Sequence, residues 1–221
     1  MNPATKISGL YALTPDWADS AKLLNSVRAA LAGGVRLVQY RNKCADPLLK
    51  KSQATALLSL CREFDATLVI NDDVALALAI DADGVHIGAE DISLVQARSR
   101  LGAKKLIGVS CYNNLELALE SQSRGADYVA FGSFFSSPTK PGAVAAPLSL
   151  LSDAKAKLHV PIVAIGGITL ANAPALIEAG ANAIAIISAL FDSADIPATT
   201  KNFSELFKPT SIHSNQSVST L

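Results

Sequence analysis

The chain has 221 residues, with 19 Lys plus Arg against 19 Asp plus Glu, so no global field draws it to nucleic acid or to an anionic membrane. Half the residues are hydrophobic but only 5% are aromatic, which leaves Ala, Val, Ile and Leu to fill one core, the composition of a single α/β domain with buried parallel strands. Cys44, Cys61 and Cys111 follow neither CxxC nor Cys/His spacing, which argues against a disulfide framework or a zinc site; with no signal peptide or membrane span legible, a soluble protein of the reducing cytoplasm is expected.

Taken in chain order, eight apolar or β-branched runs read as strands: Leu10–Leu13, Val35–Tyr40, Thr67–Ile70, Gly84–Ile87, Leu106–Val109, Tyr128–Phe131, Ile162–Ile165 and Ala183–Ile187. Helix-compatible segments separate them: Asp19–Ala32, Pro47–Phe64, Val74–Ala79, Ser93–Leu101, Leu115–Ser123, Leu148–Lys157 and Ala171–Glu178. Several open on Asp, Ser or Asn, the residues that cap helix N-termini. Strict alternation implies right-handed βαβ crossovers and a parallel sheet, and a count of eight favours closure. The expected fold is therefore α/β, a (β/α)8 TIM barrel forming a single domain over residues 1–208, with a polar, disordered tail over residues 209–221. Ala32-Gly33-Gly34-Val35, Asp81-Ala82-Asp83-Gly84, Gly125-Ala126-Asp127-Tyr128 and Gly180-Ala181-Asn182-Ala183 each end a helix and launch a strand, and read as structural punctuation at the barrel bottom.

Barrel chemistry is built on the loops after the C-terminal strand ends. After the second strand, alternation puts Gln39, Arg41 and Lys43 on one face, a convergent anion clamp. After the third and fourth strands come Asn71, Asp72 and Asp73, then Glu90 and Asp91. Carboxylates so close repel unless a cation sits between them, and one from each loop, Asp72 and Asp91, suits a Mg²⁺–diphosphate site. Asp73 reads as a helix cap. At the fifth strand end, Ser110 and Cys111 lack a histidine nearby in sequence to act as base, so Ser110 reads as a hydrogen-bond donor to substrate. His86 reads as a structural imidazole as readily as an acid or base. The loop after strand six, Phe135 to Gly142, presents Ser137, Thr139 and Lys140 between prolines and suits ligand binding or a lid. Gly167 after strand seven and Ile187-Ser188 after strand eight suit a monophosphate. Two anion sites, one metal-assisted and one metal-free, imply a bisubstrate transferase.

In this order, Gln39-Tyr40-Arg41-Asn42-Lys43, Ile70-Asn71-Asp72, Gly84 to Asp91, Gly108-Val109-Ser110, Pro138-Thr139-Lys140-Pro141, Ile165 to Ile168 and Ile187-Ser188 resemble the motifs of the thiamine phosphate synthase family, over about Leu10 to Leu190. The resemblance implies a transferase that joins 4-amino-2-methyl-5-hydroxymethylpyrimidine diphosphate to a thiazole phosphate, giving thiamine phosphate and pyrophosphate with Mg²⁺, by a dissociative displacement. It implies that Gln39, Arg41, Lys43, Asn71, Ser110 and Lys140 hold the pyrimidine diphosphate, with Arg41, Lys43 and Lys140 catalytic. It also implies Asp72 and Asp91 as metal ligands, and Ser137, Thr139, Gly167, Ile187 and Ser188 as the thiazole phosphate site. Ala89 departs from the family's usual Gln. The alternatives are a metal-free thiazole tautomerase of the same barrel family, disfavoured by the diphosphate clamp, and a catalytically silent phosphate-binding sensor. Partners are the two small phosphorylated substrates, with no nucleic acid or membrane, and a homo-oligomer stays open.

Overall fold

The computed structural model describes residues 7–89, 91–136 and 145–208. Eight parallel strands close into a barrel in sequence order, β1 (Gly9–Leu13) pairing with both β2 (Leu37–Tyr40) and β8 (Ala183–Ile186). Between these run β3 (Thr67–Asn71), β4 (Gly84–Ile87), β5 (Leu106–Tyr112), β6 (Tyr128–Phe131) and β7 (Ile162–Ile165). The outer layer comprises α1 (Ser20–Ala32), α2 (Pro47–Glu63), α3 (Val74–Ile80), α4 (Leu94–Leu101), α5 (Leu115–Ser123), α6 (Ser149–Lys157), α7 (Ala173–Ala179), α8 (Ser188–Phe191) and α9 (Ile196–Glu205). Among the described residues, no helix is long and apolar enough to cross a membrane.

The period of two along each strand divides the core into two. Leu10, Ala12, Val38, Leu68, Ile70, Val85 and Ile107 point outward and pack beneath the helices. Their neighbours Tyr11, Leu13, Leu37, Val69, Leu106, Tyr128 and Val163 point inward and fill the barrel. The two clusters explain why the strands read as continuous apolar runs: both faces are buried.

Helix starts follow from capping chemistry. Asp19, Asp46, Asp73, Asn114 and Asp195 each accept a backbone N–H three residues on, and Ser93 with Gln96 completes a capping box on α4. Asp73 is thus the cap of α3 that its position predicts.

The recurring bottom motif gains a physical role. Asp83, Asp127 and Asn182 accept from the N–H of Leu68, Ile107 and Ile162 at 2.8, 2.7 and 2.8 Å. Their own N–H groups donate back to the carbonyls of the same three residues. Each is a two-bond latch joining one strand's start to the next. Arg98 braces one latch, pairing with Asp127 and donating to the carbonyls of Gly102, Lys105 and Gly125.

Two expectations about elements change. β5 runs on to Tyr112, so Ser110 lies within the strand, and a register shift against β6 between Ser110 and Tyr112 bends the strand at the mouth. Helix α9 lies outside the seven helical segments read from the sequence; its Asp195 cap, Pro197 in the first turn and buried Thr200 and Phe203 fix it beside α1 and β1.

Candidate active site

A cavity of about 800 Å³ opens at the C-terminal ends of the strands. It brings together Gln39, Arg41, Lys43, Asn71, Asp72, Asp91, Ser110, Gly167, Ile187 and Ser188, ten of the thirteen residues predicted from the sequence. The other three, Ser137, Thr139 and Lys140, lie outside the described residues, as does Glu90.

The basic side of the rim is held by a residue that sequence reasoning missed. Asp16, in the loop after β1, pairs with Arg41 at 2.7 Å through one carboxylate oxygen and accepts the backbone N–H of Lys43 at 2.8 Å through the other. Thr14 fastens the same turn, its hydroxyl donating to the Arg41 carbonyl at 2.8 Å and accepting the Arg41 N–H at 2.9 Å. Asn42 and Gln53 lock the turn from behind, against the Trp17 carbonyl. The guanidinium of Arg41 is therefore preset, while Lys43 remains exposed. An acid two residues beyond a threonine at a strand end was the available signal.

On the acidic side, Asp72 sits in the left-handed region at φ 62°, its N–H donating to the His86 carbonyl at 2.8 Å. That conformation is uncommon for a non-glycine residue and costs on the order of 1 kcal/mol. Asp91 accepts the Gly88 N–H at 2.7 Å, and because Ser93 caps α4, Asp91 is spared that task. Burial, then the Asp91 carboxylate in hydrogen-bonding reach, push the Asp72 carboxyl up to about 6, with Lys43 and Asn71 opposing. Among the described residues no three His, Cys, Asp or Glu side chains gather. A cation held here would have Asp72 and Asp91 as its two carboxylates and would need water and ligand oxygens for the rest of its shell, a donor set that suits Mg²⁺.

On the far arc, Gly166 and Gly167 have φ of 103° and 62°. A Cβ on Gly167 would run into the Phe135–Ser136 backbone at 2.8 Å and closer, so glycine is needed here for packing against the loop after β6. Asn172 fastens this turn, accepting the Thr169 N–H at 2.8 Å and donating to the Gly167 carbonyl at 3.0 Å. The N–H groups of Leu190 and Phe191 bond back to the Ile187 carbonyl, which leaves those of Ser188 and Ala189 at the start of α8 without intrahelical partners beside the cavity.

The search for a nucleophile at Cys111 ends in the core: the thiol is buried and pushed up to about 12 by desolvation. No histidine is near Ser110 in sequence, but one is near in space. His86 Nε2 lies 2.9 Å from Ser110 Oγ, brought there because β4 and β5 are neighbours, a pairing invisible in linear spacing. His86 is buried, and desolvation lowers its pKa to about 4, so the imidazole is neutral at physiological pH.

Residues 10–190 match the family model described as thiamine monophosphate synthase. The chain belongs to that family. It is 52% identical over 211 residues to the thiamine-phosphate synthase of Nitrosospira multiformis, covering 96% of this chain and 90% of that protein. It is 55% identical over 202 residues to that of Azoarcus sp., covering 91% and 98%. Among solved structures it resembles a thiamine phosphate pyrophosphorylase from Pyrococcus furiosus, with a TM-score of 0.82, 35% identity, and 93% and 96% of the two chains covered. The family model spans every site residue described above.

Proposed function

We propose that the protein is a thiamine-phosphate synthase, a transferase that joins 4-amino-2-methyl-5-hydroxymethylpyrimidine diphosphate to thiazole phosphate and releases pyrophosphate. The observation that carries the reading is the division of one cavity rim: Arg41 and Lys43 beside the Asp72–Asp91 pair on β2–β4, and the Gly167 and Ser188 turns on β7–β8. A diphosphate needs the first arc and a monophosphate the second.

In this reading Arg41 and Lys43, joined by Lys140 from the family resemblance, bind the diphosphate and stabilise the charge that grows as it departs. Asp16 keeps Arg41 aimed. Asp72 and Asp91 would hold a divalent cation, which when bound supplies further positive charge against the diphosphate oxygens. Gln39, Asn71 and Ser110 orient the pyrimidine ring, and Ser137, Thr139, Gly167, Ile187 and Ser188 position the thiazole phosphate so that its ring nitrogen meets the exocyclic carbon. A resonance-stabilised pyrimidine cation requires no protein nucleophile, which agrees with the buried thiol of Cys111 and the neutral His86. The free cysteines suit a cytoplasmic setting.

The test is formation of thiamine phosphate from both substrates, with Mg²⁺ and with EDTA. Product with Mg²⁺ alone supports the assignment. Isomerisation of the thiazole without coupling points to a tautomerase, and binding without turnover to a sensor. Lys140→Ala is expected to lower kcat more than it raises KM.

A further inference from the structure

The barrel interior, otherwise aliphatic, contains an uninterrupted polar chain. Gln39 Nε2 donates to the Tyr11 hydroxyl at 3.0 Å, the Tyr11 and Tyr128 hydroxyls lie 2.9 Å apart, the Tyr128 hydroxyl lies 3.0 Å from His86 Nδ1, and His86 Nε2 lies 2.9 Å from Ser110 Oγ. The five residues come from β2, β1, β6, β4 and β5. Tyr11 and Tyr128 are 1% and 0% exposed, so among the described residues their hydroxyls have each other and these neighbours as partners. Gln39 and Ser110, the two ends, line the cavity.

Phenylalanine would fill the same space without the cost of burying a hydroxyl, about 1–3 kcal/mol when left unpaired. The barrel instead accommodates the second tyrosine at a specific position: a Cβ on Gly108 would overlap the Tyr128 ring. His86 stacks on that ring, centroids 5.5 Å apart at 27°, which holds the imidazole edge toward the hydroxyl.

Counting protons gives the chain a direction. Each buried hydroxyl has one proton to donate, and a neutral imidazole has one N–H, so the bonds must all run the same way. With the Gln39 amide nitrogen on Tyr11, Tyr11 donates to Tyr128 and Tyr128 donates to Nδ1. Nδ1 is then an acceptor, Nε2 carries the proton, and Ser110 Oγ accepts it. The serine's own O–H is left to point into the cavity, and the Gln39 carbonyl is left as an acceptor at the other end.

We infer that Tyr11, Tyr128 and His86 form a directed relay that fixes the Nε2–H tautomer of His86 and thereby makes Ser110 a hydrogen-bond donor to the pyrimidine substrate. The inference rests on the proposed synthase reading for the identity of the ligand. The three relay residues are positioning residues, acting through Ser110. The same direction removes the base from the Ser110–His86 pair: an Nε2 that already carries a proton cannot take one from the hydroxyl, so the serine is kept from acting as a nucleophile toward the diphosphate substrate.

Imidazole ¹⁵N NMR of the labelled full-length protein, with His86 assigned against His86→Asn, tests the tautomer without reference to activity. Wild-type protein is expected to show Nε2 protonated and Nδ1 bare. Tyr128→Phe removes the hydroxyl that, among the described residues, donates to Nδ1, and is expected to move the Nδ1 signal downfield to that of a nitrogen accepting no hydrogen bond, whereas Tyr11→Phe, which leaves Tyr128 free to donate, should move it less. In the coupling assay, Tyr128→Phe should raise KM for the pyrimidine diphosphate about fivefold, the worth of one biased hydrogen bond, and leave KM for thiazole phosphate unchanged. An Nδ1–H tautomer in wild type would overturn the relay, as would Tyr128→Phe that folds with the Nδ1 signal and both KM values unmoved. Should that variant fail to fold, the wild-type spectrum still decides. Absence of any coupling in wild type defeats the synthase reading alone, because the spectrum is read independently.

Discussion

Asp91→Asn separates what the acidic pair does for binding from what it does to stability. Burial and then Asp91 raise the Asp72 carboxyl from 3.8 to about 6. A native pKa above the unfolded one means that the native state holds the proton more tightly. The penalty of ionising Asp72 is therefore absent below about pH 3.8, grows as pH rises toward 6, and is complete above it. The full shift corresponds to about 3 kcal/mol at 1.36 kcal/mol per unit. Desolvation is the larger cause and the mouth is open to solvent, so the share that leaves with the Asp91 charge is about 1 kcal/mol. Asparagine retains an oxygen for the Gly88 N–H that Asp91 now accepts. Asp91→Asn should thus raise Tm in EDTA at pH 8 by about 2–4 °C, the response of a domain this size to 1 kcal/mol. At pH 5, where Asp72 is already mostly protonated, the gain should shrink to roughly a quarter. Wild type is expected to gain Tm with Mg²⁺ at pH 8, and the same variant should lose that gain. Scanning calorimetry at two pH values, with and without Mg²⁺, reads all three. A loss of stability equal at both pH values would refute the repulsion argument.

Other substitutions test the separation of rim, interior and base. Asp16→Ala frees the Arg41 guanidinium and should lower kcat/KM for the pyrimidine diphosphate about tenfold, roughly 1.5 kcal/mol for a hydrogen bond to a charged group; steady-state kinetics in each substrate will show whether thiazole phosphate is spared. Asp72→Ala should abolish Mg²⁺-dependent pyrophosphate release and leave thiazole phosphate binding nearly intact by calorimetry. Gly108→Ala drives a methyl into the Tyr128 ring and should cost about 3 kcal/mol in urea unfolding. Thr200→Val removes a buried hydroxyl that has no partner among the described residues and should raise Tm by about 2–4 °C without changing turnover.

The strands were legible because both their faces are buried, so Thr67–Asn71 or Ile162–Ile165 stands out by composition alone. Their ends were less so. Val35 and Arg36 were read into β2, yet Arg36 turns its guanidinium back to the Leu31 and Val35 carbonyls and the strand starts at Leu37. Ser110 looked like a strand terminus because it is polar, whereas β5 carries it through to Tyr112. Helix α9, rich in Thr and Asn, has little intrinsic helix signal and is stabilised by docking Phe203. At the site, residues whose chemistry is explicit in their type, Arg41, Lys43, Asp72 and Asp91, were found from position at a strand end. Asp16 escaped because its meaning depends on Arg41, 25 residues away. Tyr11 and Tyr128 escaped because a tyrosine in an apolar strand reads as core until its hydroxyl partner, 117 residues on, is known.

That pattern of misses has a physical basis in how the barrel distributes its conflicts. The rim concentrates features that oppose stability: a left-handed Asp72, two apposed carboxylates, and Gly166–Gly167 with positive φ. The bottom concentrates features that favour it: the three reciprocal Asx latches and Arg98 across four partners. Since the strands connect the two ends as one cooperative sheet, strain at the mouth is held in place by bonds one strand-length away. Local sequence reasoning recognises the bottom because its turns are self-contained, and recognises rim residues by their charge. It cannot see the interior relay, whose five members acquire a role only when the sheet closes and sets β1, β2, β4, β5 and β6 around one axis. Arg98→Ala probes the separation directly: loss of the brace should cost about 2 kcal/mol of stability, with KM for both substrates unchanged at temperatures where the variant is folded. A shift in either KM would mean that the bottom latches also set the geometry of the mouth.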